Sequence, residues 1–217
     1  MVERISSRQF HAADGVDDWR IVFGGATAYF AAGTFSKGAE LVNEIARLAD
    51  AVNHHPDADL RYAGVTVRLY THNIDDISER DIAPARQISD AARERVIAAD
   101  SSGVQTVQIA IDAFVIPGVL PFWRVVLGYD QRGDEDLVDP NGHAPSIWFQ
   151  HMDAPRPQRD RIHIDVSLSR DHVEARIAPP LAAGGQIASN ANAPHWWTLA
   201  NSEGNEVDVA PWADDSD

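Results

Sequence analysis

The chain has 217 residues, 44% of them hydrophobic, with a formal net charge of −15 and no cysteine. That length and apolar fraction suit two small domains with ordinary cores. The acidity opposes nucleic-acid binding through phosphates, which needs clustered Lys and Arg, and the missing cysteines exclude disulfide and thiol chemistry. No apolar run is long enough to span a bilayer, and the N-terminus lacks the basic-then-apolar order of a signal peptide, so a cytoplasmic protein without membrane contact is expected.

In chain order, residues 1–18 carry little pattern beyond a turn at Asp14-Gly15-Val16-Asp17-Asp18. Trp19 to Phe23, a Gly24-Gly25 break and Thr27 to Phe30 predict two short strands joined as a hairpin, the second of them edge-like. Leu41, Val42, Ile45, Leu48, Ala49 and Val52 recur at the spacing of one helical face, with Ser36 as the expected N-cap. Pro56 cannot continue that helix, so it should stop at or just before Asn53-His54-His55. Both imidazoles then stand at a helix C-terminus, with Asp50 and Asp57 nearby, an environment that favours the protonated ring and suits groups that give and take protons.

Val65 to His72 alternates at period two, which sends Val65, Val67 and Leu69 to a core and Arg68, Tyr70 and His72 to the other face. Ser78-Glu79-Arg80-Asp81 has the pattern of a capping box with Asp for the usual Glu, opening a second helix that runs to about Ala99. Pro84 predicts a kink or a late start in it. The small polar step Ala98-Ala99-Asp100-Ser101-Ser102-Gly103 is the expected boundary between domains at 1–100 and 104–217.

The set Asn53-His54-His55-Pro56, Tyr62, Leu69-Tyr70-Thr71-His72 and Ile77-Ser78-Glu79-Arg80-Asp81 resembles the pterin-4a-carbinolamine dehydratase family over roughly residues 19–95. The resemblance implies an α+β domain, an antiparallel sheet covered by helices, that dehydrates 4a-hydroxytetrahydropterins to the quinonoid dihydropterin. It implies His54, His55 and His72 as catalytic and pterin-contacting residues and Asp81 as an orienting carboxylate. The family usually has Glu three residues before the Asn, where this chain has the shorter Asp50. It also implies self-association through the N-terminal sheet, hence a homodimer, and calls for no cofactor. The residue types suit that chemistry, since expelling hydroxide from C4a needs an acid at the oxygen and a base at the ring N–H. A three-histidine metal site is the rival reading, but adjacent residues project in different directions and no His-x-x-x-His spacing is present.

The second half repeats an order of signals: residues 104–152 and 160–212 both read β-α-β-β-β. Leu127-Gly128-Tyr129, Val138-Asp139-Pro140-Asn141-Gly142, Trp148-Phe149-Gln150, Arg159 to Asp165 and Glu203-Gly204-Asn205-Glu206 resemble the glyoxalase-like branch of the vicinal oxygen chelate superfamily. Two paired βαβββ modules forming a half-barrel are implied. The superfamily's metal-ligand positions fall here on Gln108, Gln150, His163 and Asp208, with Glu206 as a nearby alternative to the last. Two neutral amides make a poor ligand set, so little tightly bound transition metal is expected. Pro179-Pro180 should end the second module's helix early, and Trp148, Trp196 and Trp197 are read as core. Two rivals stand beside the dehydratase reading: a non-catalytic binding or assembly protein, and a metal-dependent lyase or dioxygenase acting in the C-terminal cup.

Overall fold

In the computed structural model the described residues are 2–104, 106, 108–152, 164–168 and 173–211, and the chain divides into two compact units, Met1–Thr106 and Val107–Asp217. The first unit runs α1 (Ser7–His11), β1 (Arg20–Val22), β2 (Gly25–Ala31), α2 (Phe35–Val52), β3 (Asp57–Leu60), β4 (Val65–Leu69), a 3-10 turn at Glu79–Asp81, α3 (Ile82–Glu94) and β5 (Ala98–Ala99). Its antiparallel sheet has the order β1-β2-β4-β3, with β5 added to the far end of β2. Val65, Val67 and Leu69 are fully buried, as the alternation requires, and join Phe30, Leu41, Ile45 and Ile88 in one core. Buried Trp19 ties the first strand region to α3, its indole N–H lying 3.1 Å from both the Ala85 carbonyl and Ser89 Oγ.

Several local expectations change. Thr34, not Ser36, caps α2: left-handed Gly33 turns the chain early, and the Thr34 hydroxyl accepts from the Lys37 amide at 3.3 Å. β2 lies inside the sheet between β1 and β4, so it is no edge strand, and Ala26, Ala28 and Phe30 are buried. The helix after Asp81 stops at Glu94, five residues short of Ala99, because Val96 takes a left-handed conformation with φ 53° and swings Ile97 into the core and Ala98–Ala99 onto β2. Pro84 produces the late start: the α-helix begins at Ile82, which places the ring in the first turn, where a missing N–H costs no helical bond.

The β1–β2 hairpin depends on Gly25, whose φ of 139° is open only to glycine and whose missing Cβ leaves room for the Leu69 carbonyl oxygen. Gly25→Ala should destabilise the first unit by about 1–3 kcal/mol, read from the chemical denaturation midpoint; no measurable change would contradict the close approach.

The second unit is two βαβββ modules. The first holds β6 (Gln108–Ala113), α4 (Ile116–Leu127), β7 (Asp130–Arg132), β8 (Asp136–Val138) and β9 (Ser146–His151); the second holds β10 (Ile164–Leu168), α5 (Val173–Ala182), β11 (Gln186–Ser189), β12 (Trp197–Ala200) and β13 (Glu206–Pro211). Each sheet pairs its outer and last strands in parallel and the rest antiparallel, in the orders β6-β9-β8-β7 and β10-β13-β12-β11. Neither closes into a barrel. The second module holds both ends of α4: Glu203 accepts the Phe114 and Val115 amides at its start, and Arg176 donates to the Val126 carbonyl at its end, 2.9 Å away. Pro179 and Pro180 do not terminate α5; their locked φ is helical, and their carbonyls accept from Ala183 and Gly185.

Candidate active site

Left-handed Asn53 (φ 49°, ψ 50°) closes α2, and His54 donates its amide to the Ala49 carbonyl at 3.1 Å. This turn sends the two adjacent imidazoles to different environments. His54 is only 6% exposed, and its Nε2 lies 2.6 Å from Oδ1 of Asp81, which is completely buried. His55 is exposed, and its Nε2 meets Asp50 Oδ1 at 3.0 Å. Asp50 thus reaches its histidine despite the short arm. Asp57 does not take part: its carboxylate binds Arg68 across the β3–β4 pair, with Nε 3.0 Å away.

Asp81 is held from several directions. Its Oδ2 accepts the Ser78 amide at 2.7 Å, the second half of a complete capping box, and the Thr71 hydroxyl at 2.9 Å. The Thr71 and Ser78 hydroxyls lie 2.6 Å apart and Ser78 Oγ is 3.4 Å from Oδ2, so the two hydroxyls and the carboxylate form one hydrogen-bonded set. Each of these groups is buried. A carboxylate Asp81 accepts all these bonds, with His54 Nε2 donating and Nδ1 as its second edge. Sequence reasoning missed Thr71 and Ser78 as supports. The signal was present in the motif itself, since Thr71 adjoins His72 and Ser78 opens the capping box.

His72 follows the end of β4 and is exposed, with its Nε2 3.4 Å from the His55 carbonyl oxygen. The end of α2, the loop after β4 and the turn that starts α3 thus carry three contacts: His54 with Asp81, His55 with Asp50, and His72 with the His55 carbonyl. Tyr62 lies apart from these contacts on the β3–β4 turn and is 74% exposed.

A model of the pterin 4 alpha carbinolamine dehydratase family matches residues 3–91, and a model of the glyoxalase-like domain matches residues 108–210. A relative from Herpetosiphon aurantiacus, named "Putative pterin-4-alpha-carbinolamine dehydratase", is 41% identical over 70 residues, which is 32% of this chain and 73% of that protein. The chain belongs to the pterin-4a-carbinolamine dehydratase family. A relative of the same name from Mycobacterium bovis is 47% identical over 55 residues, 25% of this chain and 58% of its own length. Among solved structures, a transcriptional coactivator/pterin dehydratase from Brucella melitensis is 29% identical, with 42% of this chain and 99% of that chain covered and a TM-score of 0.39. A glyoxalase-related enzyme from Fulvimarina pelagi is 18% identical, with 50% and 88% covered and a TM-score of 0.39.

The dehydratase motif accounts for the first unit, and the glyoxalase-like domain supplies its own candidate positions. Gln108 stands opposite Ser146 and Gln150 opposite Asp112 in the parallel β6–β9 pair, so their Cα positions are four residues apart along the sheet, about 13 Å. Asp208 accepts a 2.6 Å bond from Thr198, and Glu206 lies across from Ala200. His163 lies outside the described residues, and among those described no cluster of three His, Asp or Glu is placed to hold a metal. Asp136, opposite Trp148, is held above the usual carboxylate range by burial, with Arg132 opposing and Glu135 adding to the shift. Of the three tryptophans read as core, only Trp197 packs against it; Trp148 is half-buried and Trp196 is 39% exposed. Asn201 is fully buried and accepts the Glu203 and Asn205 amides, which shapes the turn that presents Glu203 to α4.

Proposed function

We propose that the protein dehydrates a 4a-hydroxytetrahydropterin to the quinonoid dihydropterin by histidine acid/base catalysis in its first unit, as a cytoplasmic enzyme needing no cofactor. The observation that carries this reading is the buried Asp81–His54 pair at 2.6 Å, set beside His55 and His72. The reaction breaks the C4a–O bond and removes the proton from the adjacent ring nitrogen, with water as the leaving molecule. One imidazolium protonates the departing oxygen, and one neutral imidazole takes the N–H proton. Asp81 stabilises charge on His54, and Asp50 does the same at exposed His55. His72, which donates Nε2–H to a carbonyl, keeps a lone pair on Nδ1 and is suited to the base role. An absorbance assay of dehydration by the full chain tests the proposal; a rate equal to the uncatalysed reaction would end it.

The same reading includes a homodimer assembled through the N-terminal sheet. With β2 internal, the sheet's edges are β1 and β3, and the reading takes β3, whose outer side is unpaired among the described residues and whose side chains are largely exposed. Light scattering should give twice the chain mass, and a proline placed at Ala58, whose N–H alternates away from β4, should return it to the monomer. A monomeric wild-type protein would contradict this.

A further inference from the structure

His72 is exposed, yet its ring is not left to rotate. It packs on Tyr70 with ring centroids 4.3 Å apart and an interplanar angle of 53°. The Arg68 guanidinium lies over the same Tyr70 ring, its Cζ 4.8 Å from the centroid. Arg68 is fixed in turn by Asp57, which accepts from Nε at 3.0 Å and from Nη2 at 2.5 Å. Asp57 is two residues beyond His55, and the His55 carbonyl is the group that His72 Nε2 meets at 3.4 Å. The contacts close a circuit: His55 and Asp57 where the chain enters β3, then Arg68 on β4 with Tyr70 and His72 just beyond its end, and back to His55.

Two features of the backbone make room for this row. A Cβ on Gly24 would stand 3.0 Å from Arg68 Nη1, and one on Gly25 would stand 3.2 Å from Tyr70 Cβ. The hairpin glycines thus allow the side chains to lie flat along the sheet. A carbonyl oxygen can only accept, so the contact with His55 requires the proton of a neutral His72 to be on Nε2 and leaves the lone pair on Nδ1.

From this geometry we propose that Asp57, Arg68 and Tyr70 are positioning residues that hold the His72 ring in a single tautomer, with Nδ1 as its proton-accepting edge. The proposal rests on the dehydratase reading for its consequence in rate, but not for the ring geometry, which substrate-free protein can report. Asp57 neutralises Arg68 so that the guanidinium serves as a flat support rather than as a free charge beside His72. Tyr70 supplies the surface through its ring.

The test uses the 15N-labelled full chain without substrate at mildly alkaline pH, with the His72 ring signals assigned by their loss in His72→Gln. Long-range proton–nitrogen spectra should show one Nε2–H tautomer in the wild type and in Tyr70→Phe. Tyr70→Leu and Arg68→Met should show a mixture. In the dehydration assay Tyr70→Leu should lower kcat by about 10- to 100-fold, the scale set by loss of orientation, with KM little changed, and Tyr70→Phe should restore the rate. An unchanged single tautomer in both Tyr70→Leu and Arg68→Met would overturn the proposal, whatever the rates. Tautomer mixing with no loss of rate, in these variants and in His72→Gln alike, would uphold the positioning and overturn the role of His72 in catalysis.

Discussion

Replacing His54 with alanine should lower kcat for 4a-hydroxytetrahydropterin dehydration by about 10²- to 10⁴-fold, the range for loss of a positioned acid/base group. KM should change far less, because an interaction realised in proton transfer is lost from the transition state and not from ground-state binding. A purely sequence-based expectation is that the fold tolerates this change. The structure corrects that expectation, since removing a 6% exposed imidazole strands the Asp81 oxygen it meets at 2.6 Å. The rate must therefore be measured where circular dichroism shows the variant folded. His55→Ala separates the two effects, because that ring is exposed and its partner Asp50 lies in water, so rate should fall without loss of stability. Wild-type rates in both folded variants would exclude these histidines from the chemistry.

Asp81→Ala should destabilise the first unit by about 3–5 kcal/mol, the cost of removing one partner from a buried charged pair. The loss has identifiable parts. The Ser78 amide loses its capping acceptor, the Thr71 hydroxyl loses the group that receives its proton, and buried His54 loses its carboxylate. Asp81→Asn should lie between wild type and alanine, as its amide oxygen at the Oδ2 position can keep the Ser78 and Thr71 donors while its NH2 meets His54 Nε2, which accepts only in the other tautomer. Amide hydrogen exchange in β4 reads the stability of this unit alone; a loss under about 1 kcal/mol would show that the network contributes little.

Much of the first unit is legible because its signals are local. Pro56 and the apolar spacing from Leu41 to Val52 end a helix at the histidines, the period-two run places Val65, Val67 and Leu69 inside, and Ser78 with Asp81 forms a capping box. The errors arise where a distant contact outweighs local preference. Ala91 to Ala99 reads as continuous helix, but burying Ile97 and pairing Ala98–Ala99 with β2 compensate for a left-handed Val96. Pro179 and Pro180 read as a stop, but α5 is sustained by packing against α4 and by carbonyls that still accept bonds.

The candidate site divides in the same way. Residue type and spacing along the chain determined which groups are available, since three histidines near turns and a carboxylate at a helix start are properties of short segments. The sequence also determined that Asp81 would face back to Ser78, because a capping box closes within one turn. Only the tertiary structure decided that the other oxygen of the same carboxylate would receive His54, 27 positions away, that Thr71 would be buried between them, and that Asp57 would hold Arg68 rather than a histidine. Those pairings depend on where α2, β4 and α3 are brought together by a shared core, and the packing of apolar side chains from distant segments sets that meeting point without appearing in the pattern of any one of them.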